Sequence, residues 1–195
     1  MLYRANMSNT VGRPGRSEFS NHYAPFIALV PDGDILDLLA STGARRDATV
    51  GGITESVAST PPPVGKWNIR ETLAHMCDME RVMAYRALRI ARGDRAPVSG
   101  VDQNLYAVNS YANERTVADL RSELRAIRAS TVSLFGSFPA TVWSWMDVIE
   151  GDPVSLRALA YIIVGHDLHH LQQLADRFGI AGPNSARMHG STKVG

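Results

Sequence analysis

Apolar residues recur at helical spacing along four stretches of the chain, and nowhere do they alternate convincingly as a strand would require. The first stretch follows the turn Pro31-Asp32-Gly33-Asp34 and carries Ile35, Leu36, Leu38 and Leu39. The second runs from Asn68 to about Arg92, with Ile69, Leu73, Met76, Met79, Val82 and Met83 among its apolar positions. Asn68 and Glu71 there have the spacing of a capping box. The third spans Thr116 to about Phe138, with Leu120, Leu124, Ile127, Leu134 and Phe138 on or near one stripe. The fourth starts near Ser155 and stops at Phe178-Gly179, with glycine at the expected C-terminal position. Four amphipathic helices in one domain predict an all-α four-helix bundle. The connector between the second and third helices, Gly93 to Arg115, is long enough to cross the bundle, so those two helices can run parallel.

Between these stretches the pattern fails. Residues 41–63 read STGARRDATVGGITESVASTPPP, with no durable apolar stripe, so the first helix is expected to end there. Residues 139–152 form a second connector holding Trp143 and Trp145. The expected organisation is a loose arm over residues 1–24, a bundle over 25–180 and a loose tail over 181–195, with Met7 as an alternative start.

Composition narrows the function classes. The chain has 195 residues and a net charge of +1, so no global field recruits nucleic acid or an anionic membrane. The single cysteine, Cys77, rules out an intrachain disulfide framework and fits a reducing compartment. No apolar run reaches the roughly 18 residues of a membrane span, and the N-terminal stretch lacks the apolar core of a signal peptide. The expectation is a cytoplasmic protein with a small-molecule substrate and neither nucleic acid nor membrane as partner.

The candidate chemistry lies in three histidines. His166 and His170 are four residues apart on the apolar face of the fourth helix, shared with Leu159, Ile162, Ile163 and Leu174. His75 lies on the apolar face of the second helix. Buried imidazoles need partners, and one divalent ion satisfies all three while leaving a coordination position open. A lone core histidine is more often simply hydrogen-bonded, and it is the i, i+4 pair that shifts the balance towards a metal. His169 lies off the face of the pair, and His189 falls in the tail; neither is expected to ligate. The string His166-Asp167-Leu168-His169-His170 is one methylene short of a zincin motif. Asp167 is read there as a solvated charge, or less favourably as an acceptor supporting the site. Glu71 already serves as a cap, Glu80 points away from His75, and Cys77 faces the opposite side as an inert core thiol. Arg81, Arg86, Arg89 and Arg92 are expected to form a solvated basic face, and the three tryptophans to pack, with one of them as a candidate wall of the pocket mouth.

The segment GKWNIRETLAHMCDMERVMAYRALRIARGD, followed at a distance by YIIVGHDLHHLQQLADRF, resembles the paired elements of the DinB/YfiT-like family of metal-dependent enzymes over about residues 25–180. The resemblance implies a four-helix bundle, often a homodimer, with a divalent metal on three histidines that match His75, His166 and His170. Three imidazoles suit zinc first, with nickel, iron, cobalt or manganese as other candidates. The resemblance also brings a low-molecular-weight thiol as a candidate co-substrate. Residues 41–63 depart from the amphipathic helix found there in relatives. Ala44 to Val50 can be encoded GCT CGA CGA GAC GCA ACG GTT, which read one nucleotide later gives L-D-E-T-Q-R, a better helix. The segment is therefore a candidate for a compensated frameshift that resequencing would settle.

The expected function is metal-assisted attack of a thiol or of water on a small electrophile, as a thiol S-transferase or a hydrolase. A non-catalytic metal- or small-molecule-binding bundle and a purely structural bundle are the alternatives. No catalytic side chain is assigned.

Overall fold

The computed structural model describes residues 11–149, 151–180 and 182. Four long helices form the bundle: α2 (Ile35–Gly51), α4 (Ile69–Ala91), α6 (Val117–Gly136) and α7 (Leu156–Phe178). Short helices α1 (Ala24–Leu29), α3 (Glu55–Ala58) and α5 (Gln103–Val108) lie in the connections. Each long helix starts on a side chain that accepts an otherwise orphaned backbone N–H: Asp34, Asn68, Thr116 and Ser155. Asn68 and Glu71 complete the expected capping box, and α7 ends at Gly179 with φ 66°.

The core has two lobes. One joins Ile35 and Leu39 of α2, Met83, Ala87 and Ile90 of α4, Phe135 of α6, and Leu156 with residues 158–164 of α7. The other joins Val50 of α2, Ile69, Leu73 and Met76 of α4, Leu120 and Leu124 of α6 and Leu174 of α7. The early part of α2 therefore meets the late parts of α4 and α6. Hence α4 and α6 run parallel, as the long connection between them allows, and α2 and α7 run the other way. The parallel partners are themselves neighbours: α4 packs beside α6 and α7, and α2 packs beside the same two.

Three expectations are corrected. First, residues 41–51 continue α2, built from the residues as written. The stripe this part buries is Thr42, Gly43, Arg46, Thr49 and Val50, which is mostly small or polar and so invisible to an apolar pattern. Second, the connector before α7 contains an antiparallel hairpin, β1 (Met146–Ile149) with β2 (Asp152–Ser155), Met146 opposite Ser155 and Ile149 opposite Asp152. Four-residue strands, one with a proline, leave no alternation to detect. Third, residues 11–24, expected as part of a loose arm, are anchored. Arg13 donates to the carbonyls of Ile27 at 2.9 Å and Val30 at 2.6 Å, Phe19 is buried, and Glu18 pairs with Arg157 of α7. Residues 1–10 of the expected arm and all of the expected tail except Gly182, His189 included, lie outside the described residues.

Two glycines set close approaches. A Cβ on Gly165 would stand 2.1 Å from the carbonyl oxygen of Phe26, so α1 can lie against α7 only because that position is bare. A Cβ on Gly43 would meet the Arg128 side chain at 2.6 Å; glycine there makes room for an arginine in the core.

Between the two lobes, each long helix contributes one charge: Arg46 (α2), Glu80 (α4), Arg128 (α6) and Asp167 (α7), all buried. Arg46 reaches Glu80 at 2.8 Å, Asp167 at 2.9 Å and the Leu124 carbonyl at 2.7 Å. Arg128 reaches Glu80 at 2.7 Å, Asp167 at 2.8 Å and the Leu39 carbonyl at 2.8 Å. Two cations meet two anions, and nearly every donor has an acceptor, which is the condition under which buried charge is tolerated. Burial alone would raise the Glu80 carboxyl, but hydrogen bonds and charge from Arg128 and Arg46 outweigh it and hold it below the usual range. The solvated reading of Asp167 is corrected: one residue after His166 is about 100° around the helix, which turns it inward to α2 and α6.

Candidate metal centre

The capped start of α4 places His75 less than two turns into the helix, and His166 and His170 sit at and just past the middle of α7, antiparallel to it. The three rings converge. Nε2 of His166 lies 3.1 Å from Nε2 of His75 and 3.0 Å from Nε2 of His170. One nitrogen from each of the three lies within 4.8 Å of the others. Trp67 faces His75 with ring centroids 4.6 Å apart, and Phe26 faces His166 at 5.6 Å. Aromatic packing therefore fixes the rings, since Nδ1 of His75 and of His170 are buried without a hydrogen-bond partner.

The cluster cannot satisfy itself. An imidazole nitrogen offers one in-plane lone pair or one N–H, so His166 Nε2 can make a proper hydrogen bond to only one of its two neighbours. A cation resolves this, because three neutral nitrogens can each direct a lone pair at one point. Metal–nitrogen distances of about 2.0–2.1 Å in tetrahedral geometry put ligand nitrogens roughly 3.3 Å apart, close to the spacing here. The residues present thus fit a divalent ion.

Electrostatics agree. Burial, with the neighbouring His169 adding to it, depresses His75 to about 4. Burial and then the proximity of His75 depress His170 to about 3, and burial holds His166 well below its ordinary value. All three are neutral at pH 7 with their lone pairs available. The unfolded chain takes up these protons near pH 6.5, while the fold refuses them until about pH 4 or lower, so stability is complete above pH 6.5 and is lost as pH falls. The metal-free protein is expected to lose on the order of 3 kcal/mol for each of His75 and His170 as pH falls through that window. Urea midpoints of chelator-treated protein at intervals from pH 7 to pH 5 check this, and a flat profile would count against neutral buried histidines.

His169 is not part of the cluster. It is half-buried and accepts a hydrogen bond from Gln173 at 2.6 Å. Glu71 is occupied at the cap, accepting from the Asn68 N–H at 2.9 Å, and does not orient His75. Cys77 is buried on the other side of α4, and burial pushes its thiol up to about 12. Trp143 packs on Phe135 and Phe138, as expected, whereas Trp67 walls the site. The solvated basic face of α4 is corrected in part: Arg86 and Arg89 are buried. Spacing alone hid this: Arg89 is held by Asp94 in the connector after α4, and Arg86 lines a cavity shared with the hairpin and with Ser20 of the segment before α1.

The histidines open into a cavity of about 620 Å³ between α4 and α7, bounded also by Tyr23, Phe26 and the hairpin. The chain is thus a long-crossover four-helix bundle with three imidazoles converging in a cavity, a candidate metal centre. The sequence profile of the DinB superfamily matches residues 38–174, and the chain belongs to that family. YfiT from Bacillus subtilis, described as a probable metal-dependent hydrolase with an unusual four-helix bundle topology, shares the fold. Its TM-score is 0.67 at 16% identity, covering 86% of this chain and 94% of that one. No curated protein matches the sequence.

Proposed function

We propose that the chain is a metal-dependent enzyme in which His75, His166 and His170 hold one divalent ion, zinc first. The observation that carries this reading is the convergence of three neutral Nε2 atoms that cannot satisfy one another. A bound divalent ion would supply Lewis acidity, polarising a small electrophile and lowering the pKa of water or of a small thiol at the open position.

The chain's own residues do the rest. Trp67 and Phe26 hold the rings, and Met79, Val82 and Ile162 line the cavity and exclude water from the reacting groups. Among the described residues no side-chain nucleophile is placed at the histidines: Cys77 is on the far side of α4, and Glu80 and Asp167 are tied to arginines. The attacking group therefore comes from a co-substrate, thiol or water. Membership of the DinB superfamily supports metal chemistry at this site, and the description of YfiT supports water as the second reading. In keeping with the resemblance, the active unit is taken as a cytoplasmic homodimer.

Metal-loaded protein should be assayed with 1-chloro-2,4-dinitrobenzene and p-nitrophenyl esters, with and without a panel of low-molecular-weight thiols. Metal-dependent turnover that requires one thiol is the expected result. Ester hydrolysis without thiol moves the assignment to a hydrolase. Tight metal binding with no turnover of any electrophile would leave a binding protein and overturn the enzymatic reading.

A further inference from the structure

The cavity runs along α4 for three turns beyond the histidines, and its far end is built for a charge. His75, Met79, Val82 and Arg86 all line it, since steps of four, three and four residues return to nearly the same face of a helix. Eleven residues at about 1.5 Å each place Arg86 on the order of 15 Å along the axis from His75. Between them the wall is apolar, with Met79 and Val82 of α4 facing Leu159 and Ile162 of α7.

Arg86 is 4% exposed, and its Nε is buried without an acceptor. The other three buried arginines of the described residues, Arg46, Arg89 and Arg128, each hold a carboxylate. Arg86 has no such partner among the described residues. The hydroxyl of Ser20, also buried and unpartnered, lines the same cavity. Burying a guanidinium without a counter-ion costs several kcal/mol, so the pair reads as a subsite whose anion arrives with a ligand. Two other cations line the cavity, but Lys66 is exposed and Arg177 half-buried, so neither carries the cost of a buried unpaired charge.

The geometry points to an elongated, amphipathic carboxylic acid as the ligand, its carboxylate on Arg86 and Ser20, its apolar body along the middle of the cavity and its reactive group at the histidines. A planar carboxylate matches the guanidinium fork in charge and shape. A phosphate dianion would exceed the single positive charge and face Asp152, which lies on the same wall. Placement of the reactive end rests on the metal-centre reading; the anion subsite stands on Arg86 and Ser20 alone.

Calorimetric titration of zinc-loaded protein with straight-chain ω-carboxy hydroxamates of about six to twelve carbons, and with their methyl esters, brackets the span. The acid should bind at least about tenfold tighter than its ester at the matching length. Arg86→Met should remove that preference while leaving the ester's affinity unchanged, and Arg86→Lys should keep part of it. Equal binding of acid and ester by the unmodified protein at every length overturns the proposal, as does a preference that survives Arg86→Met. Should the Met variant not fold, the unmodified protein and the Lys variant decide. Octanoate against octanamide on metal-free protein separates the two readings. A preference for octanoate that depends on Arg86, together with hydroxamates that gain nothing from zinc, would keep the subsite and remove the metal centre. No preference for octanoate removes the subsite whatever the metal result.

Discussion

His170→Ala should lower the affinity for the proposed divalent ion by more than about 100-fold, whereas His169→Ala should leave one ion per chain. The two residues are adjacent, equally able to ligate in isolation, and separated only by the geometry of α7. His170 presents Nε2 to the cluster at 3.0 Å from His166, while His169 turns about 100° away and is held by Gln173. Loss of a direct ligand should exceed the 10–100-fold typical of losing a supporting contact. His75→Ala should match His170→Ala, because each contributes one of three nitrogens. Metal content after dialysis and competition with a chromophoric chelator measure both. Equal losses from His169→Ala and His170→Ala would mean that α7 is rotated from the orientation described here.

That orientation was legible in the sequence for a simple reason. His166 and His170 share a stripe with Leu159, Ile162, Ile163 and Leu174, and an unambiguous apolar stripe fixes which side of a helix faces inward. The same holds for His75 on α4, and the capping box at Asn68 and Glu71 located the start of that helix within a residue. What escaped was every element whose buried side is polar. The second half of α2 buries Arg46, and the inward side of α7 next to the histidines carries Asp167. Each charge looks like a solvent residue until its partners, 34 to 121 positions away in the chain, are brought to it. Arg86 was missed similarly. Its spacing from His75 does put both on one face, but the cover over that end of α4 comes from the hairpin and the segment before α1, neither of which an apolar pattern reveals.

The four-charge network carries the largest stability effect. Arg128→Met removes one cation and leaves Glu80 and Asp167 sharing Arg46 alone, a buried excess of negative charge. The expected cost is about 3–5 kcal/mol, the range for breaking a buried pair by removing one partner. Glu80→Leu alone should cost a comparable amount for the opposite reason, an excess of positive charge. The double substitution Arg128→Met with Glu80→Leu restores neutrality, with Arg46 still on Asp167, and should cost clearly less than the two single changes added together. Chemical denaturation of the three variants tests this, and simple additivity would show that the charges do not act as a unit. The consequence reaches the metal centre. Asp167 follows His166 directly, and Glu80 lies five residues beyond His75, so the same ion pairs that join the four helices hold α4 and α7 at the separation that brings the imidazoles together. Arg128→Met should therefore weaken metal binding although Arg128 touches none of the histidines, and the neutral double variant should recover most of that loss.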